Sequence, residues 1–309
     1  MNLRTGERIW AYAEAPVTGT PLRLGPERVL LPGRVPKVVS ERTGDVVWSG
    51  DAYGPGESLA FQSALAAAKD TLWFLARSEQ GHEAVAYDVS EHRQLWRRRI
   101  SERDGSMALL LPKVLLIGDT KGTCRVLDRK SGDKLGKRTY NDVPQGGSAT
   151  YTAISANRLL IAGAGALASY RVAGGDPEWT LRAEEKTAVF GRPLFAQRSP
   201  GILYVTDSLG TTRALNRATG DTRWEERALF ESEADGEAPL SALSASGRTL
   251  LAADGASIDA YRARDGQPLW HYTPVSSGRR KRYAGRLIGR APRMVLVADQ
   301  RRVHALPVE

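Results

Sequence analysis

A short phrase that ends in tryptophan recurs along the whole chain, and it limits the fold more than any other feature. Clear copies are LRTGERIW, ERTGDVVW, RATGDTRW and RARDGQPLW. A weaker copy, RVAGGDPEW, ends at Trp179, one degenerate copy has His92 in place of the glycine, and another has Gly136 in place of the tryptophan. The anchors lie at 10, 48, 96, 136, 179, 224 and 270, with spacings of 38 to 48 residues. Self-similarity at this period predicts an array or a propeller.

The sequence between the anchors predicts strands. Each unit holds an apolar run, a turn rich in aspartate and glycine, and an alternating run, as in ILYVTDSLGTTRALNRATG. Such runs, bounded by turn residues, are typical of strands joined in hairpins. The stretch 63–72 would favour a helix by its alanine content, but it aligns without gaps on 241–250, so we predict inner strands in both. Each unit therefore supplies about four strands, as a propeller blade does.

The two ends of the chain complement each other. Residues 7–11 read as an outermost strand with no inner strands before it, and the last run, RMVLVADQRRVHALPVE, lacks an outermost strand. We expect 7–11 to pair with 301–306, because this closes the ring and removes exposed sheet edges. The predicted fold is all-β: a seven-bladed β-propeller of four-stranded antiparallel blades, forming a single domain over residues 1–309.

The glycine and the tryptophan of each phrase have separate predicted roles. A tight turn between the third and fourth strands requires a residue with positive φ, which glycine adopts without steric cost. The tryptophan then lies on the fourth strand, where it buries a large area against the neighbouring blade while its N–H finds a backbone acceptor. The predicted blade-docking residues are Trp10, Trp48, Trp96, Trp179, Trp224 and Trp270.

The repeat phrase, with four strands per unit, resembles the PQQ-like propeller repeat over essentially the whole chain. That family includes quinone-dependent dehydrogenases, outer-membrane protein assembly factors of Gram-negative bacteria, and propellers fused to actinobacterial serine/threonine kinases. The resemblance implies a bacterial origin and a propeller fold, but it leaves the function open, because one fold hosts many functions.

The residues argue against an enzyme. The resemblance implies that a quinoprotein would have eight blades and an adjacent cysteine pair, whereas this chain has seven units and Cys124 as its one cysteine. Asp119, Asp207, Asp254 and Asp299 recur at one turn of the repeat, where aspartate bonds its own backbone. The four histidines have no metal-ligand spacing. We therefore expect no catalysis, no cofactor and no metal.

Charge suggests a partner. Residues 271–309 contain nine basic and two acidic residues, which is +7 of the chain's net charge of +9. We expect a connector and a turn of the closing blade to share one face and to form a basic rim, whose residues are Arg279, Arg280, Lys281, Arg282, Arg301 and Arg302. The connector at 225–237 is acidic by contrast. This polarity favours a protein partner of acidic or mixed character, although neighbouring loops that neutralise each other, or simple solvation, would also explain it.

Nucleic acid is disfavoured, because single-strand binding usually interleaves aromatic with basic residues and the basic cluster offers only Tyr272 and Tyr283. No apolar run approaches the ~18–20 residues of a membrane span. We expect a monomeric, non-catalytic interaction or sensing module, part of a larger bacterial protein such as a receptor-type serine/threonine kinase. The alternatives are a small-ligand binder or degenerate quinoprotein that uses the central channel, and a membrane-protein assembly scaffold. The sequence does not decide between a cytoplasmic and an extracytoplasmic location.

Overall fold

The computed structural model contains two compact units, Met1–Thr139 and Tyr140–Glu309, and each is described by itself. The structure describes residues 10, 21–31, 35–50, 60–78, 81–100, 107–119, 121–195, 199–228, 240–244, 246–253, 257–272, 286–291, 294–298 and 303–307. These ranges contain strands and turns and no α-helix, as the alignment of the repeats predicted. The single-domain prediction stays a prediction.

The first unit contains three four-stranded antiparallel sheets, and in each of them consecutive strands are neighbours. Its strands are β1 (Leu22–Leu24), β2 (Arg28–Leu31), β3 (Lys37–Ser40), β4 (Val46–Ser49), β5 (Ala60–Ala68), β6 (Thr71–Ser78), β7 (Gly81–Asp88), β8 (Arg93–Arg99), β9 (Met107–Leu110), β10 (Val114–Gly118), β11 (Thr123–Asp128) and β12 (Lys134–Thr139). The fourth strand of each sheet, β4, β8 or β12, lies at an edge.

The second unit contains three more sheets of this kind and a last sheet with three strands in its described residues. Its strands are β13 (Gln145–Ala153), β14 (Arg158–Ala164), β15 (Ala166–Arg171), β16 (Trp179–Arg182), β17 (Leu194–Phe195), β18 (Ile202–Thr206), β19 (Thr211–Asn216), β20 (Thr222–Arg227), β21 (Leu240–Leu243), β22 (Thr249–Ala253), β23 (Ile258–Arg262), β24 (Pro268–Tyr272), β25 (Arg286–Ala291), β26 (Met294–Ala298) and β27 (Val303–Pro307).

Burial falls from the inner strands to the outermost strand of each sheet. Strands β10 and β19 are almost entirely buried, whereas no residue of β12 or β20 is buried. Continuous apolar runs such as VLLIG in β10 form the inner strands because both of their faces pack against other residues. The outermost strands carry the charged residues and supply the surface of the protein.

The alanine-rich stretch at 63–72 lies in a hairpin and not in a helix. Strands β5 and β6 pair antiparallel, with Ala67 opposite Leu72. The aligned stretch at 241–250 contributes in the same way to β21 and β22. The strand prediction from the repeat alignment is therefore confirmed at both places, and tertiary context outweighs the intrinsic helix propensity of alanine.

The turn before each outermost strand has the predicted backbone conformation. Gly220 and Gly266 have φ values of +79° and +78° in the turns that lead into β20 and β24. In the degenerate repeat His92 takes this conformation with a φ of +52°, which is uncommon for a residue with a side chain. The glycine in the phrase therefore has the mechanical role that the sequence assigned to it.

The predicted ring closure falls outside the described residues. Of 7–11 only Trp10 is described, and Arg301 and Arg302 are not. The pairing of the two chain ends, and with it the count of seven blades, stays a prediction.

Candidate functional site

Trp96 shows how a tryptophan anchor contacts the next sheet. It lies on β8 with only 5% of its surface exposed. Its indole covers Gly132 so closely that a Cβ at Gly132 would come within 2.5 Å of the ring. Its Nε1 donates a hydrogen bond to the backbone carbonyl of Arg129 at 3.1 Å. One side chain therefore supplies both apolar contact and a satisfied donor at the turn that leads into β12.

The same pair of contacts recurs at two other anchors. Trp10 donates to the carbonyl of Glu41 at 2.8 Å, and Trp224 donates to the carbonyl of Ala263 at 3.0 Å. Each acceptor lies three residues before the glycine of the phrase, and each indole covers that glycine. The phrase thus carries a ring for the next sheet and a receiving turn for the ring of the sheet before.

Two anchors lack the hydrogen bond. The indole of Trp179 covers Gly220, but among the described residues its Nε1 has no acceptor. Trp48 also has no acceptor there, and its ring packs against Tyr87 with centroids 5.5 Å apart. Trp270 is half-buried and packs against the apolar residues of its own sheet.

Gly136 stands at the one anchor position without a tryptophan, and a tyrosine in the second unit makes the equivalent hydrogen bond. Tyr140 is 1% exposed, and its hydroxyl donates to the carbonyl of Val172 at 3.1 Å. Val172 lies three residues before Gly175, the glycine of the next phrase. The ring of Tyr140 also packs edge-on against Tyr170, with centroids 5.5 Å apart. We propose that the tryptophan anchors hold neighbouring sheets within each unit together, and that Tyr140 fixes the turn before Gly175 within the second unit.

The predicted basic rim lies outside the described residues, and it stays a prediction. Most of the acidic connector 225–237 is also outside them. Its first four residues are described, and the first three of them belong to β20 and not to a connector. The prediction was wrong for these three residues because the outermost strand continues beyond its tryptophan.

The recurrent turn aspartates bond their own backbone, as the sequence predicted. Asp119 accepts hydrogen bonds from the backbone N–H groups of Lys121 and Thr123, at 2.9 and 3.0 Å. Asp207 accepts in the same way from Leu209 and Thr211, at 3.0 Å each. Asp254 and Asp299 fall outside the described residues. In the ranges that the structure describes, no group of three histidine, cysteine or acidic residues could hold a metal ion.

A buried ion network around Arg213 was missed by the sequence reasoning. Arg213 on β19 is 3% exposed. Its Nη1 donates to Asp207 Oδ2 at 2.6 Å, and its Nε donates to Glu225 Oε2 at 2.6 Å. The guanidinium also lies over the ring of Phe190, 5.9 Å from the centroid. Asp207 therefore has two roles, because one carboxylate oxygen caps the turn and the other compensates a buried cation.

The first unit carries an exposed basic surface that was also missed. Residues 93–139 contain thirteen basic and five acidic residues, a net charge of +8. Its exposed cations lie on β8, on β12 and in the turn before β12, and we call them the β8–β12 surface: Arg93, Arg98, Arg99, Lys130, Lys134 and Lys137. Arg98 Nη2 joins the two strands by an ion pair with Asp133 Oδ1 at 3.0 Å. A charge count repeat by repeat would have found this surface.

The acidic residues beside this surface are already engaged. Hydrogen bonds from the backbone N–H groups of Ser131 and Lys130 hold the pKa of Asp128 below its ordinary value. The Ser131 hydroxyl, and after it Arg98, hold the pKa of Asp133 below its ordinary value. Both carboxylates are therefore ionised at neutral pH and accept hydrogen bonds from residues of the turn. In the described part of the chain neither Lys134 nor Lys137 has an ion-pair partner.

Strand register places two cations opposite each other on this surface. Arg125 on β11 is the cross-strand partner of Lys137 on β12. The equivalent pairs in two other sheets are complementary: Lys37 Nζ donates to Ser49 Oγ at 2.6 Å, and Arg213 pairs with Glu225. Like charges directly opposite are destabilising in a sheet. Lys137 on the β8–β12 surface thus has a cation and not a carboxylate as its cross-strand neighbour.

Antiparallel four-stranded sheets in series, with a tryptophan ring over the turn glycine of a sheet at Gly44, Gly132, Gly220 and Gly266, define the chain as a β-propeller of the PQQ-like class. Residues 120–306, more than half of the chain, match a family model described as "Outer membrane protein assembly factor BamB". The chain belongs to this family.

Solved structures agree with this fold. BamB from Moraxella catarrhalis is similar at 18% identity and a TM-score of 0.64, covering 93% of this chain and 84% of that chain. The C-terminal WD40 domain of Sif2 is similar at 12% identity and a TM-score of 0.65, covering 91% of this chain and 78% of that one. No curated protein sequence matches the chain. The described residues include no helix that is long and apolar enough to cross a membrane.

Proposed function

We propose that this protein is a non-catalytic interaction scaffold built on a PQQ-like propeller. The observation that carries the proposal is its membership of the family described as an outer membrane protein assembly factor. The geometry supports it, because β8 and β12 are edge strands of their sheets and carry exposed cations. Exposed charged strands of this kind steer and bind a complementary surface.

The family match supports an assembly scaffold over the other two contexts that the sequence allows. A sensor region of a receptor-type serine/threonine kinase stays a prediction, and the coding sequence around this chain tests it by revealing or lacking a kinase domain. A small-ligand binder that uses the central channel, or a degenerate quinoprotein, also stays a prediction. Calcium-dependent reduction of a dye by the purified protein with pyrroloquinoline quinone and an alcohol would contradict the non-catalytic proposal.

The scaffold proposal is tested in cells of the source organism. We expect deletion of the gene to reduce selectively the folded amounts of a set of membrane proteins, measured by quantitative proteomics of the envelope. Expression of the wild-type chain should restore them. We also expect the tagged chain, after brief chemical cross-linking, to purify with a fixed proportion of one or a few proteins. Unchanged envelope proteins together with a chain that purifies alone would overturn the proposal.

A further inference from the structure

We infer that the β8–β12 surface binds an acidic segment of a partner protein. This inference rests on the proposed scaffold function and adds the place and the chemistry of one contact. It concerns Lys134 and Lys137 on β12 above all, because both are exposed and neither is in an ion pair within the described residues.

The first step is the excess of charge. Thirteen basic residues stand against five acidic ones between 93 and 139. Asp128 and Asp133 are held by the turn, and Glu91 is paired with Arg93. Arg93 and Arg98 are thus compensated within the protein, whereas Lys134 and Lys137 are in no ion pair within the described residues. A carboxylate of a partner that comes within one Debye length of these lysines, about 10 Å at 0.1 M salt, would be attracted to them.

The second step is the pairing of Arg125 with Lys137. The position of Lys137 corresponds to that of Glu225 in the sheet of β20, where the carboxylate bonds the opposing arginine at 2.6 Å. In β12 a lysine stands at the position of that carboxylate, so this register position carries a cation where β20 carries an anion. A carboxylate of a partner would be attracted to Lys137, whose cross-strand neighbour is a cation and not a carboxylate.

The third step is the apolar residue between the lysines. Leu135 is 59% exposed, the largest value among the exposed large hydrophobic residues of the described ranges. At the next position, Gly136, the space where a Cβ would point contains no atom within 4 Å. The surface thus combines exposed cations, one apolar side chain and room for a neighbouring chain. A segment with an apolar residue flanked by carboxylates fits this combination, because apolar contact adds to charge complementarity.

Protein is favoured over nucleic acid and lipid by the same residues. Binding of a single nucleic-acid strand relies on exposed aromatic rings, and the exposed residues of β8 and β12 include none. A lipid surface selects for cations alone, whereas three acidic groups, Asp128, Asp133 and Glu91, lie among these cations and would face it. A peptide accommodates such alternation of charge because its own side chains alternate.

The experiment uses the full chain and a fluorescent peptide in which glutamate alternates with leucine and valine. We expect binding, measured by fluorescence anisotropy, that weakens steeply when the ionic strength rises from about 0.1 M to about 1 M, since the Debye length falls to about 3 Å. The double variant Lys134→Glu with Lys137→Glu should bind roughly tenfold less, or about 1.4 kcal/mol by the usual conversion. The matched control is Arg223→Glu with Arg227→Glu on β20, which makes the same change in net charge at exposed positions and should bind like the wild type.

Three results would overturn the inference. One is equal loss in the β12 and β20 variants, which would show that net charge alone attracts the peptide. Another is binding of a short DNA duplex or of phosphatidylglycerol vesicles that depends on Lys134 and Lys137 while the peptide does not bind. The third is unchanged binding by both the glutamate variant and the milder Lys134→Gln with Lys137→Gln, each with a thermal midpoint like that of the wild type. Leu135→Ser should weaken peptide binding several-fold, and no change would exclude the apolar contact.

The outcome is separable from that of the proposed function. If the β12 variants still restore the envelope proteins in the deletion strain and purify with the same partners, the scaffold function stands and this surface is not its contact. If the wild-type chain neither restores them nor purifies with a partner, the scaffold proposal itself fails, whatever the peptide does.

Discussion

Strands β12 and β20 are the fourth strands of their sheets, one in each unit, and they show the same alternation of exposed and half-buried residues. They differ in what fills the anchor and the position after it. In β20, Trp224 covers Gly266 and Glu225 bonds the buried Arg213. In β12, a Cβ at Gly136 would have no atom within 4 Å, and Lys137 lies opposite Arg125.

The difference shows that β20 uses its anchor side chains for contacts within the protein, whereas β12 has exposed lysines at the corresponding part of the strand. The side chains of β20 are tied to the sheet beside it and to the strand behind it. In β12, by contrast, Lys134 and Lys137 are exposed and in no ion pair within the described residues, and no tryptophan stands at the anchor position. Four experiments test this contrast, and they follow from the largest expected effect to the smallest.

Arg213→Met should lower the free energy of unfolding by about 3–5 kcal/mol, because it leaves Asp207 buried without a compensating cation. Arg125→Met, at the equivalent place behind β12, should cost less than about 1 kcal/mol, because Arg125 is half-buried beside another cation. Urea unfolding followed by tryptophan fluorescence measures both. Equal losses would mean that the two strands do not differ in how they bind the strand behind them.

Trp224→Ala should cost about 3 kcal/mol, at the lower end for a core tryptophan because Trp224 is half-buried. The matched change on β12, Leu135→Ala, should stay within about 0.5 kcal/mol, as is usual for exposed positions. Thermal unfolding of the two variants gives the comparison. A stable Trp224→Ala variant would contradict the proposal that the anchor docks neighbouring sheets.

Gly266→Ala should cost about 2 kcal/mol. Its new Cβ would lie 2.7 Å from the indole of Trp224, and its φ of +78° is strained for alanine. Gly175→Ala has the same kind of strain at a φ of +99° but open space, so it should cost about 1 kcal/mol. The difference in urea midpoint isolates the contact with the ring. If both variants lose the same free energy of unfolding, the indole of Trp224 moves away from the new methyl group at little cost.

Lys137→Glu gives β12 the charge pattern of β20, and it should raise stability by about 0.5 kcal/mol because a like-charge pair becomes an opposite-charge pair. Glu225→Lys is the reverse change, and it should lower stability by about 1 kcal/mol. Both effects should shrink in high salt, since these positions are exposed to solvent. Lower stability of Lys137→Glu would show that Lys137 makes stabilising contacts within the protein.

The fold could be predicted from the sequence because the residues that repeat are the same residues that form the turns and strands. Gly220, before Trp224, specifies its turn. The alignment of 63–72 on 241–250 predicted a strand correctly where the alanine content alone would have favoured a helix. The residue that makes the anchor hydrogen bond where Gly136 replaces the tryptophan was not predictable, because Tyr140 stands outside the phrase and its hydrogen bond depends on chain geometry. The ion network of Arg213 was hidden for a similar reason, since cross-strand register joins residues twelve positions apart.

The paired ring and glycine have a consequence for how such a chain grows. Because a complete copy of the phrase offers a ring to its successor and a bare turn to its predecessor, a unit with such a copy is complementary to a duplicate of itself. A tandem duplication of one unit would therefore arrive with both halves of its contact surface already present. Head-to-tail contacts of this type close into rings when the rotation per unit allows it and otherwise continue as open arrays.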